Sequence, residues 1–387
     1  MAMVPGGRGD RDGRGGGAHR AGEGQLMNQH VRPPRNEQQR NELAREVRHH
    51  FNSKRNFEFE SIVGQGSYGL ACRIIQRHYR GGSRKFVIKR ATGDLATAEL
   101  RREIEAMELL NGSAHIASVI ASIDDQAPQQ PRLNRAFRQM TARLQNQPNA
   151  FLIGLRGPSL VIENLEYGTL TNVIRRSIAK KQLLPNRILW SFYLCLVRAC
   201  VAMAYPPNRP LGSPSQLERY PRALVVPSDL AHLDIHTSNV LIGAPDNFSE
   251  HDLVPPIKLI DFGRAREKNM AVQWNLLECS AVMVNLIART TADVLAQRGV
   301  YRGFETMAAA ILPGSDGRDR YRYLDPDLRG LLVYALAVDS NNRPSLKDML
   351  RNTEDAVKRR DAAYYNEVYE SDAAIEHALD DLIYNVA

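Results

Sequence analysis

A glycine-rich segment between two strand-like runs constrains the fold of this 387-residue chain more than any other feature. Residues 57–63 alternate apolar and polar side chains, which is the period of a half-buried strand, and 70–76 form a second strand-like run. A dinucleotide-binding fold would place a helix after the glycines, so two flanking strands predict a β-hairpin instead. Residues without a Cβ let backbone N–H groups close over phosphates, and the glycines concerned are Gly64, Gly66 and Gly69.

A lysine and a glutamate follow the hairpin. A β-rich run ends in Lys89, and the helix predicted at 96–110 carries Glu103. An isolated charge is usually a solvated surface group, and Glu99 and Glu105 on the same helix compete with Glu103 for any role. Neither Lys89 nor Glu103 indicates a function by itself.

Two polar segments supply the groups that transfer of a phosphoryl group requires. Residues 232–239 read His-Leu-Asp-Ile-His-Thr-Ser-Asn, and a strand-like run at 257–260 leads directly into Asp-Phe-Gly. Such a reaction needs one carboxylate to orient the attacking hydroxyl and two further oxygen ligands for magnesium. Asp234, Asn239 and Asp261 have the residue types and the order that these tasks require.

In this order the segments resemble the protein kinase superfamily, and the resemblance extends from about residue 57 to residue 352. It implies an α+β, two-lobed protein kinase-like fold with nucleotide between the lobes. A small antiparallel β-sheet lobe would comprise 57–165, with a polar insertion at 122–150. A larger helical lobe would comprise 166–352.

The resemblance implies a role for each residue that matches a kinase motif. Asp234 would orient the hydroxyl of the acceptor, while Asn239 and Asp261 would bind Mg²⁺. Lys89 would hold the α- and β-phosphates of ATP, and Glu103 would position Lys89. The other groups that would contact ATP are the hairpin glycines (Gly64, Gly66 and Gly69), Val87 over the adenine, and the backbone of Glu163 and Leu165 at the hinge between the lobes, with Ile162 behind them as gatekeeper.

Four departures from the kinase pattern concern the acceptor and regulation more than ATP. Leu233 replaces the arginine that senses a phosphate on the activation segment. Only eleven residues, 264–274, stand between the Asp-Phe-Gly motif and Asn275, the position that opens the next large-lobe helix, and no A-P-E is present. Arg343 lacks the glutamate that pairs with it in kinases, so it needs another acceptor or lies exposed. His236 replaces a lysine that steadies the transferred phosphate, and we count it with the catalytic residues.

These departures leave three hypotheses open. The favoured one is an ATP- and Mg²⁺-dependent, protein kinase-like phosphotransferase of the Ser/Thr type, which transfers the γ-phosphate to a hydroxyl group. His236 and the short segment are also similar to aminoglycoside- and choline-type enzymes, so a small-molecule kinase is the first alternative. The second is a catalytically weak scaffold that binds nucleotide, although such a protein has no need of Asp234.

Composition indicates which parts of the chain lie outside a packed core. Residues 1–55 hold eleven Lys and Arg against six Asp and Glu, which accounts for most of the net charge of +8. The Arg/Gly-rich leader at 1–50 predicts disorder, apart from a short polar helix at 36–51. Arg/Gly tracts can bind RNA, but no aromatic residue is interleaved here, so nucleic acid is not expected as a partner except through this leader. An acidic, helix-prone tail is predicted at 353–387.

The remaining composition predicts an intracellular protein, cytoplasmic or nuclear. The N-terminus lacks the apolar core of a signal peptide, and no window approaches the length of about 20 apolar residues that spans a bilayer. No membrane partner is therefore expected. The four cysteines are scattered, with no C-x-x-C and no adjoining histidine cluster, which predicts buried free thiols and neither a disulfide nor a metal site.

Overall fold

The computed structural model describes residues 35–65, 69–79, 81–124, 149–314 and 316–385, and within them the protein is a mixed α+β structure. Three predictions fall wholly or largely outside these residues. They are the disorder of the leader before residue 35, the role of Gly66, and the polar insertion at 122–150 apart from its two ends.

Five strands form one antiparallel sheet in the order β1-β2-β3-β5-β4. The predicted hairpin is present, because β1 and β2 pair directly on either side of the glycine-rich segment. Apolar side chains of β2 and β3 alternate between buried and partly exposed positions, as the period of two requires. The strands are β1 (Phe57–Gln65), β2 (Gly69–Arg77), β3 (Ser83–Ala91), β4 (Val119–Ile123) and β5 (Ser159–Glu163).

A helix at the start of the described chain packs on this sheet. Helix α1 (Arg35–Asn52) buries Ala44, Val47 and Phe51, which lie on one helical face. Phe51 forms an aromatic cluster with phenylalanines of β1, β3 and the segment before β5. The helix predicted at 36–51 is therefore present. Its assignment to a leader outside the packed core is wrong, since the apolar face of α1 belongs to the core of the sheet.

Seven of the described α-helices follow β5. In chain order the helices after α1 are α2 (Asp94–Leu109), α3 (Leu170–Ala179), α4 (Asn186–Ala204), α5 (Ala271–Ala288), α6 (Pro326–Ala335), α7 (Leu346–Arg359), α8 (Ala362–Tyr365) and α9 (Asp372–Leu379). Helix α4 is buried along nearly its whole length and packs against α5 and α7, which explains its continuous apolar sequence.

Two of these helices, α4 and α5, are long and apolar enough to cross a membrane by length and composition alone. The expectation that no window reaches this limit is therefore wrong. In the structure 94% and 67% of the two apolar windows are buried inside the protein, so packing in the core accounts for their composition.

Three short strand pairs hold the connections between the helices. Strand β7 (Val240–Ile242) pairs with β8 (Ile257–Leu259), and β6 (Leu230–Ala231) pairs with β9 (Arg266–Glu267). The third pair is β10 (Gly299–Tyr301) with β11 (Phe304–Thr306). The β7–β8 pair carries the segment 232–239 at one end of its first strand and Asp-Phe-Gly just after its second. It thereby brings together two motifs that are distant in sequence.

The C-terminal tail is bound to the helical part. The carboxylate of Glu370 is fully buried and accepts hydrogen bonds from the backbone N–H groups of Asn186 and Arg187, at 2.7 and 3.2 Å. Further along, the Leu382 carbonyl accepts from Arg176 at 2.7 Å. The predicted domain boundary at 353 lies inside α7, so the tail and the preceding helices are continuous.

Candidate active site

A cleft of about 910 Å³ lies between the sheet and the helical part. One wall comes from β1–β3, α2 and β5, and the other from the segments that flank β7 and β8. Its volume falls in the range of roughly 300–1,000 Å³ that is typical of small-molecule and cofactor sites. The predicted site residues that line it are Gly64, Gly69, Val87, Lys89, Glu103, Glu163, Leu165, Asp234, Asn239 and Asp261.

An ion pair joins β3 to α2 on the sheet side of the cleft. The ammonium group of Lys89 contacts a carboxylate oxygen of Glu103, and its Nζ lies 3.7 Å from Oδ1 of Asp261. Although burial alone would lower the pKa of Lys89, these two carboxylates raise it above its ordinary value, so the lysine keeps its charge. Of the two competing glutamates, Glu105 is exposed, whereas Glu99 lines the cleft near the guanidinium of Arg102.

The polar loop before β7 holds two of the predicted residues against each other. The amide nitrogen of Asn239 donates to the Asp234 carbonyl at 3.0 Å and lies 3.4 Å from its carboxylate. This fixes the Asn239 side chain and leaves its Oδ1 as the atom that a cation would bind, because the nitrogen carries the hydrogens. Leu233 adopts a φ of 63°, a left-handed conformation that turns the chain sharply before Asp234.

Arg264 is a neighbour of Asp234 that sequence analysis missed. Its Nη1 donates to Oδ1 of Asp234 at 3.3 Å. It directly follows the Asp-Phe-Gly motif, and that position was the signal that could have pointed to it. A guanidinium beside the carboxylate is suited to bind phosphate oxygens.

His236 stands beside the cleft and does not line it. Its Nε2 lies 3.9 Å from Oδ2 of Asp234, its Nδ1 accepts from the Ser238 N–H at 3.3 Å, and its side chain is about half exposed. The structure therefore brings His236 near Asp234 without burying it. A charge at this position would be screened by solvent, so it acts weakly on groups inside the cleft.

Two buried residues hold the loop from behind. The amide of Asn275 on α5 accepts from the His232 N–H at 3.0 Å and donates to the Leu230 carbonyl at 2.9 Å. His232 donates through Nε2 to the Ile260 carbonyl at 3.1 Å and packs against the ring of Phe262. Because Ile260 immediately precedes Asp261, His232 links the two polar motifs.

The free energy of unfolding should depend on pH because of the buried side chain of His232. Burial lowers the pKa of His232 to about 4, and its Nδ1 has no hydrogen-bond partner among the described residues. The unfolded chain takes up the proton near pH 6.5 and the folded one only near pH 4, so stability is lost as the pH falls between these values. The loss from this group is about 3 kcal/mol.

The measurement is urea unfolding of the nucleotide-free protein between pH 7 and pH 4. The variant His232→Phe, which cannot titrate, should show a correspondingly flatter profile, whereas the exposed control His236→Phe should follow the wild type. Parallel profiles for His232→Phe and the wild type would contradict the assignment.

Backbone and side-chain groups of Glu163, at the predicted hinge between the lobes, form hydrogen bonds within the protein. The Glu163 N–H donates to the Ser118 carbonyl at 3.0 Å, and the Glu163 carboxylate accepts from the Ser118 N–H and from Lys258, each at 2.7 Å. The N–H and the carboxylate of Glu163 are therefore both engaged within the protein. No acceptor for the Leu165 N–H lies among the described residues. A role for Lys258 was not predicted from the sequence, although a lysine inside an apolar strand could have indicated one.

The two described glycines of the hairpin differ in what requires them. A Cβ on Gly69 would lie 2.5 Å from the Arg90 carbonyl oxygen of β3, so close strand packing alone demands glycine there. A Cβ on Gly64 would meet only the Ala71 side chain at 3.5 Å, which is an ordinary contact. Packing therefore explains Gly69 but does not require glycine at Gly64, which lines the cleft.

The segment after Asp-Phe-Gly is short and held along its length. Strand β9 pairs with β6, the Lys268 N–H donates to the Asp229 carbonyl at 2.8 Å, and α5 begins at Ala271. The ammonium of Lys268 also lies 3.7 Å from the ring centre of Trp274. The chain between these contacts is too short to form a peptide-docking platform.

Arg343 was predicted to need another acceptor or to lie exposed. Its guanidinium donates to the carbonyls of Ala337 and Val338.

No protein-family model matches this chain, and no curated protein matches it either. The residues and geometry of the cleft therefore carry the functional argument by themselves.

Proposed function

We propose that this protein is an ATP- and Mg²⁺-dependent phosphotransferase of the protein kinase-like type, with a two-lobed kinase fold, that transfers the γ-phosphate to a hydroxyl group. One observation carries the proposal: a single cleft gathers the Lys89–Glu103 ion pair, Asp261, Asn239 and Asp234. A cation-carboxylate pair, two oxygen ligands and a further carboxylate are what phosphoryl transfer requires of a protein.

The donor set suits a hard divalent cation. Asn239 offers an amide oxygen and Asp261 a carboxylate, and Mg²⁺ prefers oxygen ligands, few of them from the protein. When bound, the ion neutralises charge on the phosphates. Lys89, held by Glu103, would contact the phosphates of ATP, and Asp234 would accept a hydrogen bond from the acceptor hydroxyl.

One observation favours the small-molecule alternative for the acceptor. The segment 264–274 runs through β9 directly into α5 and leaves little chain to bind a peptide. The guanidinium of Arg264 also lies beside Asp234, with its Nη1 at 3.3 Å from Oδ1 of that carboxylate. An acceptor with its own anionic group would be favoured there.

The test is transfer of labelled γ-phosphate. The protein is incubated with ATP and Mg²⁺ in the presence of mixed proteins in one reaction and mixed hydroxyl-bearing metabolites in another. We expect label in an acceptor, and none when EDTA removes Mg²⁺. Label in protein supports the protein kinase hypothesis, and label confined to metabolites supports the small-molecule one. ATP that raises the melting temperature without any transfer would contradict the proposal and favour the scaffold.

A further inference from the structure

Three buried side chains from distant parts of the chain meet inside the protein. His115 follows α2, Cys195 lies in the middle of α4, and His251 ends the 3-10 turn between β7 and β8. One ligand atom from each lies within 4.8 Å of the other two, and the three residues are buried to 4% exposure or less. The four cysteines are free buried thiols, as predicted, but the histidine cluster beside Cys195 was not expected.

The two imidazole rings are oriented by carboxylates. Nδ1 of His115 lies 2.7 Å from the Glu218 carboxylate, and Nδ1 of His251 lies 2.8 and 2.9 Å from the two oxygens of Asp246. A carboxylate accepts, so each Nδ1 carries a hydrogen and donates it. Metal-binding histidines are held in this way, with the other ring nitrogen free to act as ligand.

The opposite ring nitrogens point at one another. Nε2 of His115 lies 3.1 Å from Nε2 of His251, and Sγ of Cys195 lies 3.7 Å from the latter. With a hydrogen on each Nδ1, the two Nε2 lone pairs face each other at this distance, and a cation between them, either a proton on one ring or a metal ion bound by both, removes the repulsion. For Zn²⁺ bound tetrahedrally, ideal bond lengths separate two nitrogens by ~3.4 Å and nitrogen from sulfur by ~3.6 Å.

We propose that His115, Cys195 and His251 form a structural zinc site. A thiolate with two imidazoles is a soft-to-borderline ligand set, which suits Zn²⁺ better than Mg²⁺ or Ca²⁺. A further candidate ligand is Oε1 of Glu250, at 3.9 and 3.7 Å from the two Nε2 atoms, and this carboxylate accepts a hydrogen bond from Arg198. His115, Cys195 and His251 are all buried, which leaves no access for a substrate on their side of the ion, so we assign the site a structural role.

The site joins elements that carry the catalytic motifs. The His115 carbonyl accepts from the Leu259 N–H at 3.0 Å, two residues before Asp261. His251 lies in the connection from β7 to β8, and β7 follows Asn239 directly. Zinc would thus tie α4 to the strand pair on which both proposed magnesium ligands depend. The zinc proposal itself does not rest on the proposed function.

The first experiment measures metal in the full-length protein. Purified from zinc-containing medium and dialysed, the wild type should retain about one zinc per chain by elemental analysis. Removal by a strong chelator should lower the melting temperature by several degrees, and added Zn²⁺ should restore it. Replacement by Co²⁺ should give visible absorption bands of tetrahedral cobalt and a thiolate charge-transfer band. If the wild type folds without bound metal and its melting temperature does not change when Zn²⁺ is added, the proposal is overturned.

The second experiment uses a matched pair of cysteine variants on α4. Cys195→Ser should lose the bound zinc and the thiolate band of the cobalt form, whereas Cys200→Ser should retain both, since Cys200 is equally buried but contacts Cys279. Full zinc content in a folded Cys195→Ser protein would also overturn the proposal. If Cys195→Ser does not fold, the metal content, chelation response and cobalt spectrum of the wild type still decide.

Discussion

Replacing Asp234 with asparagine is expected to reduce phosphoryl transfer by about 10²–10⁴-fold while ATP affinity stays nearly unchanged, because loss of a positioned general base costs about that factor. Asparagine keeps the size of the side chain, and the hydrogen bond from Asn239 to the backbone carbonyl of residue 234 does not depend on the carboxylate. The loss would therefore fall on the chemical step. It is measured as the single-turnover rate of label transfer, with ATP binding titrated separately.

The matched control is Asp229→Asn. Asp229 is exposed, lies five residues earlier on the same segment, and contributes only its backbone carbonyl to a contact with Lys268. We expect wild-type transfer from it. Equal losses in both variants would point to a general disturbance of the loop, and undiminished transfer by Asp234→Asn would rule out the catalytic role.

Replacing Asp261 with asparagine should weaken the binding of ATP in the presence of Mg²⁺ by about tenfold or more, which is ~1.4 kcal/mol. The variant loses a charged ligand for the ion, and ligand charge sets cation affinity. Transfer should fall further, by about 10²-fold or more, because the charge stabilisation supplied by a metal is worth several kcal/mol. Isothermal titration with and without Mg²⁺ measures the first effect.

Magnesium-free titrations provide the control for Asp261. Its carboxylate also lies near Lys89, so a variant could weaken the phosphate contact of the lysine directly. If Asp261 acts as a metal ligand, ATP affinity without Mg²⁺ stays at the wild-type value. An equal loss with and without Mg²⁺ would contradict that role.

Features that depend on local sequence pattern were predicted from the sequence. The hairpin around the glycine-rich segment follows from the strand period. The resemblance to kinases implied the contact of Lys89 with Glu103, which the structure shows. It also implied that a helix opens at Asn275, which is wrong, because α5 begins four residues earlier at Ala271. The mixed α+β fold with an antiparallel sheet was predicted correctly. Helix α1 was underestimated, because its apolar face is narrow and its sequence otherwise polar.

The sequence does not predict contacts between residues that lie far apart along the chain. Arg264 is 30 residues from Asp234, and the pairing of β6 with β9 and of β7 with β8 helps to bring them together. The buried cluster is a stronger case. His115, Cys195 and His251 have no motif spacing, and Cys195 sits in an apolar helix where a thiol is normally packing material.

Glu370, in the C-terminal tail, stabilises the N-terminus of helix α4. Helix α4 follows Pro185 and has no side-chain cap of its own, so the first N–H groups of its backbone need outside acceptors. The carboxylate of Glu370 accepts from two of them and places a negative charge at the positive end of the helix dipole. A residue 184 positions downstream thus serves as the N-cap of α4. Proteolytic fragments that end before it would leave this helix uncapped.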